Sequence, residues 1–180
     1  MTNALFLDRD GVLNVRLPGE YVKHPDELIL SPGFEEAMAI LAPLFYPIVV
    51  VTNQAGIGKG LMTEAQLSLI HEKLWMATAQ AGGRIDRIYH CPDAPDTGST
   101  CRKPATGMAW VALAEFPDME FSRAWMVGDT ASDMAFGHSL GMKTVFIQGD
   151  VTEEKKIETT KPHFVYASLM DFARFYSGRR

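Results

Sequence analysis

Cysteine is scarce in this chain: Cys91 and Cys101 are the only two among 180 residues, too few for the disulfide framework of a small secreted scaffold. Basic residues are also in deficit, with 17 Lys and Arg against 22 Asp and Glu and a net charge of −5. No basic stripe marks a groove for nucleic-acid phosphates. No charged leader and apolar segment precede the first strand, which begins by Ala4, and a cytoplasmic location is the expectation that follows. Repeats, low-complexity tracts and linkers are absent. With 47% apolar and 22% charged residues the chain lies near the globular average, which excludes disorder and membrane insertion as readings. A chain of this length can bury about 70% of its unfolded surface, so a single domain spanning residues 1–180 is expected.

What is present is an alternation of apolar, β-branched runs with helical patterns, the signature of βα units. Strands are predicted at Ala4–Leu7, Ile48–Val51, Ile85–His90, Ala124–Val127 and Thr144–Ile147, with a short one at His163–Tyr166. Helices are predicted at about Gly33–Leu44, from an N-cap at Thr63 with Gln66 as capping-box partner to Ala81, at Gly107–Glu115, at Ser132–Leu140 and in the tail. Right-handed crossovers between parallel strands place helices on both faces of one sheet. The long loops, Asn14–Pro32 and Cys91–Thr106, both leave the edge at which such sheets bind ligands.

Three of those strands end in polar residues. Asp8-Arg9-Asp10-Gly11 follows the first, Thr52-Asn53 the second, and Gly128-Asp129-Thr130-Ala131-Ser132-Asp133 the fourth; Arg102-Lys103-Pro104 lies in the second long loop. Alone, an Asp-x-Asp pair is a common surface turn. At the end of a buried strand, two carboxylates can divide labour, one attacking phosphorus and the other moving protons. Asp8, Asp10, Asp129 and Asp133 together repel one another unless a cation sits among them. A hard divalent ion such as Mg²⁺ fits an all-oxygen set, with Asp8, the Asp10 carbonyl and Asp129 as ligands; Asp133 orients a water or caps the helix that begins beside it. The Thr52 hydroxyl and the amides of Asn53 and Gln54 are candidate donors to phosphate oxygens. Lys103 supplies positive charge, and Arg102 a planar fork for phosphate or sugar oxygens. Arg16 and Tyr21 lie on the loop that leaves the catalytic strand and are candidate substrate contacts. The tryptophans read as packing residues, and His24, His71, His138 and His163 show no site spacing.

Asp8-Arg9-Asp10-Gly11-Val12, Val51-Thr52-Asn53-Gln54, Cys101-Arg102-Lys103-Pro104 and Met126-Val127-Gly128-Asp129 resemble, in order, the four signature motifs of the haloacid dehalogenase (HAD) superfamily of phosphatases. The resemblance runs over about residues 4–150 and is to the capless branch that includes heptose-bisphosphate and histidinol-phosphate phosphatases. It implies an α/β, three-layer Rossmann-like fold with a mostly parallel central sheet and no separate cap domain. It further implies Asp8 as nucleophile, Asp10 as general acid/base, Thr52 and Lys103 as phosphoryl stabilisers, Arg102 in substrate recognition, and Mg²⁺. The implied substrate is a small phosphorylated sugar of the heptose 1,7-bisphosphate kind, with histidinol phosphate or another small phosphomonoester as the alternative. The working unit is expected to be a monomer without nucleic-acid or membrane partners. The family's zinc loop, Cys-x-His and later Cys-x-Cys, reads here as Cys91-Pro92-Asp93 and Ser99-Thr100-Cys101. Two soft ligands have become Asp and Ser, and His90 as a replacement would point to the opposite face from Cys91, so zinc on Cys91, Asp93 and Cys101 is not expected. A phosphoryl-accepting signalling domain would use a similar Asp, Thr, Lys and Mg²⁺ set. Asp10 argues for the enzyme, because an acid two residues after the acceptor speeds hydrolysis of the aspartyl-phosphate.

Overall fold

The computed structural model describes residues 3–179. Six parallel strands, β1 (Asn3–Leu7), β2 (Phe45–Asn53), β3 (Arg87–Cys91), β4 (Trp125–Gly128), β5 (Lys143–Ile147) and β6 (Phe164–Tyr166), form one sheet in the order β3-β2-β1-β4-β5-β6. The chain runs outward from β1 to β3 on one side and then returns to β4 on the other. That reversal makes the gap between the carboxyl ends of β1 and β4 the topological switch point, where open α/β sheets bind ligands.

Strand residues alternate between two cores, as a period of two requires. Leu5, Leu7, Ile48, Val50, Trp125 and Val127 pack with α1 (Phe34–Leu41), α3 (Glu64–Gln80) and α7 (Leu169–Ser177). Phe6, Val49, Val51 and Met126 pack on the other face with α4 (Gly107–Glu115) and α5 (Ala131–Ser139). These three layers are the expected fold. Thr63 and Gln66 make the predicted capping box at α3. Two short helices, α2 (Ala55–Gly58) and α6 (Val151–Lys156), were not predicted; each is too brief to carry a hydrophobic period. β2 begins three residues earlier than predicted, because Pro47 is accommodated where the pairing shifts from Asn3↔Phe45 to Leu5↔Ile48, an irregularity of the kind that admits proline. Of the tryptophans only Trp125 is buried; Trp75 and Trp110 pack at the surface, one donating to the Ile85 carbonyl and the other edge-on to Phe121, and are not core. Among the described residues no helix is long and apolar enough to cross a membrane.

Candidate active site

Asp8 extends the ladder, its N–H donating to the Val127 carbonyl at 2.9 Å, and so stands over the β1–β4 gap. The chain must then turn sharply. Gly11 makes this possible with φ of +88°, and an added Cβ there would collide with the Asp129 carboxylate. On the other side of the gap, Gly128 lets Asp133 close over the strand, since a Cβ would meet the Asp133 side chain. The capping box at the start of α5 fixes that carboxylate: Thr130 N–H and hydroxyl both donate to Asp133 Oδ2, and the Asp133 N–H returns a bond to Thr130 Oγ1.

Asp133 therefore caps the helix, as one of its two predicted roles had it, but it also does something the sequence did not disclose. Lys103, buried from a loop 30 residues upstream, places Nζ 2.6 Å from Asp133 Oδ1 and donates to Asp8 Oδ1 at 2.8 Å and to the Val51 carbonyl at 2.7 Å. Two carboxylates and a carbonyl thus hold the ammonium, and they keep the Lys103 pKa above its usual value against the opposing effect of burial. The loop itself is clamped by Asn53, whose side chain accepts from Lys103 N–H at 2.9 Å and donates to the Lys103 carbonyl at 3.1 Å.

Asp10 is held by three donors. Arg9, fully buried, forms a two-toothed contact at 2.9 and 3.0 Å, Asn14 Nδ2 donates to Oδ1 at 3.0 Å, and Gln54 Nε2 to Oδ2 at 2.9 Å. Burial alone would raise the Asp10 pKa; Arg9 and the two amides outweigh it and hold the group below the usual carboxylate range. Behind Arg9 sits His71 Nε2 at 3.4 Å. Burial and the adjacent guanidinium push the His71 pKa down to about 3, so the ring is neutral and its Nε2 accepts from the arginine. His71 thus supports the site, although no spacing in the sequence marked it.

One predicted contact is reassigned. Gln54 is fully buried, its N–H donates to the Cys91 carbonyl at 2.7 Å, and its side chain holds Asp10 and Thr52; it does not line the cleft. Because Gln54 Nε2 donates to Thr52 Oγ1 at 2.8 Å, the Thr52 hydrogen is left for an incoming anion. Arg16 and Tyr21 do line the cleft, as predicted, together with Thr52, Asn53, Arg102 and Lys103, in an open space of about 580 Å³. Lys59, from the turn after α2, joins them with its ammonium 5.5 Å from the Tyr21 ring centroid. The Gly-rich loop preceding Lys59 was the available signal. Arg102 donates to the Asp93 carbonyl at 3.2 Å. Among the described residues neither Lys59 nor Arg102 has a carboxylate at ion-pair distance, whereas Glu20 pairs with Lys23 and Asp150 caps α6.

The acidic cluster has the character of a cation site. Carboxylate oxygens of Asp8, Asp129 and Asp133 lie within 4.8 Å of one another. Burial, and for Asp129 the neighbouring Asp8, push the Asp8 pKa up to about 6 and that of Asp129 up to about 8, against the opposing effect of Lys103 and Arg16. One guanidinium nitrogen, Arg16 Nη2, reaches the three predicted ligand oxygens at once: Asp129 Oδ1 at 2.7 Å, the Asp10 carbonyl at 3.4 Å and Asp8 Oδ2 at 4.0 Å. A hard ion with oxygen ligands fits the same position. The other predicted loop differs. Cys91 and Cys101 are joined in a disulfide, with Ser99 Oγ 3.3 Å from each sulfur and Asp93 beside Cys101, while His90 points away to Glu64. The sequence reading had not paired these cysteines.

Comparisons with known proteins place the chain in a family. A family model described as HAD-hydrolase-like matches residues 100–172. The D-glycero-beta-D-manno-heptose-1,7-bisphosphate 7-phosphatase of Bordetella bronchiseptica is 39% identical over 144 residues, covering 80% of this chain and 79% of that protein. A D-glycero-alpha-D-manno-heptose-1,7-bisphosphate 7-phosphatase of Mycobacterium tuberculosis is 39% identical over 137 residues, 76% of this chain and 72% of its own. The crystal structure of the B. bronchiseptica D,D-heptose 1,7-bisphosphate phosphatase, complexed with magnesium and phosphate, superposes with a TM-score of 0.89 at 33% identity, covering 99% of this chain and 100% of the other.

Proposed function

The chain belongs to the heptose-bisphosphate phosphatase branch of the HAD-like hydrolases, and from that membership we propose that it removes the 7-phosphate of D-glycero-D-manno-heptose 1,7-bisphosphate through an aspartyl-phosphate on Asp8. The observation that carries the reading is the trio of Asp8, Lys103 and Asp10 at the floor of a cleft whose unpaired cations, Lys59 and Arg102, suit a second anion. A substrate bearing an imidazole and an ammonium, as histidinol phosphate does, would meet those same cations with the wrong sign.

In the first step an Asp8 oxygen bonds to phosphorus as the bond from phosphorus to the sugar oxygen breaks, and Asp10 gives its proton to that oxygen. The arriving phosphate dianion raises the low Asp10 pKa toward that of a donor, since like charge disfavours the carboxylate. In the second step the Asp10 carboxylate takes a proton from water, whose oxygen attacks phosphorus, and Asp8 departs as carboxylate. Asp10 is left protonated for the next cycle. Lys103 and Thr52 donate to the phosphoryl oxygens, on which negative charge is carried throughout. Asp8, the Asp10 carbonyl and Asp129 would hold Mg²⁺, which when bound shields the nucleophile from the anionic ester and stabilises charge on the transferring group.

The test is kcat/KM for both anomers of the heptose 1,7-bisphosphate, histidinol phosphate and a generic phosphate ester. The bisphosphate is expected to exceed the others by at least about tenfold, the two-anion contact being expressed in the transition state. A higher value for histidinol phosphate would overturn the substrate while leaving the chemistry in place.

A further inference from the structure

We propose that Arg16 is an internal competitor for the divalent cation: metal enters only by displacing the guanidinium, and the displaced arm then serves the cleft as an anion ligand. This rests on the Mg²⁺-dependent reading above. The geometry is specific. Asp129 Oδ1, the Asp10 carbonyl and Asp8 Oδ2 are the atoms a divalent ion would use, and Arg16 Nη2 donates to the first two at 2.7 and 3.4 Å and lies 4.0 Å from the third. An ion of Mg²⁺ size needs its ligand oxygens at about 2.1 Å, so it and the guanidinium nitrogen cannot be held together there.

Charge favours the exchange. Among the described residues the cations paired with Asp8, Asp129 and Asp133 are Lys103 and Arg16, so with all three carboxylates ionised the cluster carries one formal negative charge; a divalent ion in place of the guanidinium removes it. The arm is also free to leave. Its side chain is 36% exposed, its Nε, although buried, has no hydrogen-bond partner among the described residues, and it extends from the loop that walls the cleft. Release breaks one short ion pair, to Asp129, and two longer contacts, to the Asp10 carbonyl and Asp8. The same cleft holds Lys59 and Arg102, so the freed guanidinium joins two other cations. Metal entry and anion affinity are coupled through a single side chain, and linkage requires that each promote the other.

Isothermal titration of EDTA-stripped, dialysed protein with MgCl₂ tests the competition. Arg16→Gln should bind Mg²⁺ about tenfold more tightly than the native chain, and Arg16→Lys, which keeps a charge with fewer donors, should fall between them. In saturating Mg²⁺, inorganic phosphate should bind several-fold more weakly to Arg16→Gln than to the native chain. Equal or weaker Mg²⁺ affinity in Arg16→Gln overturns the competition, and equal phosphate affinity overturns the delivery of the arm. If the native chain binds Mg²⁺ and releases phosphate from substrate while either result is negative, only this inference falls. If no chain binds Mg²⁺, the underlying reading falls as well.

Discussion

Replacing Lys103 with Met is the sharpest test of how the site is balanced. The ammonium touches Asp8, Asp133 and the Val51 carbonyl at 2.6–2.8 Å, and all are buried. Methionine fills similar space but leaves two carboxylates and a carbonyl without their donor. Breaking a buried pair from one side costs about 3–5 kcal/mol. For a chain of this size each kcal/mol is worth roughly 2–4 °C, so a fall of about 10–15 °C in Tm is expected. The loss should depend on pH with a definite sign. In the native chain the Asp8 pKa is already raised to about 6, with Lys103 opposing the rise; without the lysine it climbs further. A carboxyl whose folded pKa is raised favours folding below its unfolded pKa and loses that contribution as pH climbs through the folded one. The variant's deficit should thus be small at pH 5 and largest near pH 8. Urea unfolding in EDTA at both pH values measures it, and Mg²⁺ should recover part of the loss at pH 8. A deficit under about 1 kcal/mol at pH 8, or one that grows on acidification, would refute the reasoning.

Asp8→Asn should keep the fold and lower kcat by at least about 10³-fold, as followed by phosphate release; native-like turnover in the pure variant would remove Asp8 as nucleophile. Asp10→Asn should lower steady-state turnover by about 10²–10⁴, and a loss of less than tenfold would assign proton transfer elsewhere. With Asp8 raised to about 6 and Asp129 to about 8, the native chain in EDTA should lose thermal stability steadily from pH 5 to pH 9, and MgCl₂ should flatten that decline. A Tm that rises over the same window would contradict the raised values. Gly11→Ala should cost about 1–2 kcal/mol for the left-handed backbone and also weaken Mg²⁺ binding, because the new methyl displaces Asp129; urea unfolding and calorimetry read the two effects separately.

The sheet was legible because its strands are short apolar runs that end abruptly in polar residues, and burial on both faces demands that composition. That Asp8, Asp10 and Asp129 stand at strand ends was legible from position, and Lys103 was singled out only by the company of the other motifs. Their partners were not legible. Lys103 with Asp133, Arg16 with Asp129 and His71 behind Arg9 are pairs set by which way a side chain turns at the end of a strand or in a loop, and no periodicity encodes that direction. Gln54 shows the difference well. It follows Thr52 and Asn53 in the phosphate-facing run, yet burial turns it inward to hold Asp10. The second strand was read only from Ile48, and the shifted pairing with β1 is what lets it begin at Phe45 and run through Pro47.

The reciprocal contact between Asn53 and the Lys103 backbone makes the intervening segment a replaceable module. Lys103 is tethered to the sheet by Asn53 and by Val51, so the ammonium's place does not depend on the chemistry of residues 94–98, the tip of the loop that the Cys91–Cys101 disulfide closes and that Asp93 and Ser99 tie to Arg102. An engineer could exchange that stretch for one of different length or chemistry and change what passes the mouth of the cleft without retuning the reaction at its floor.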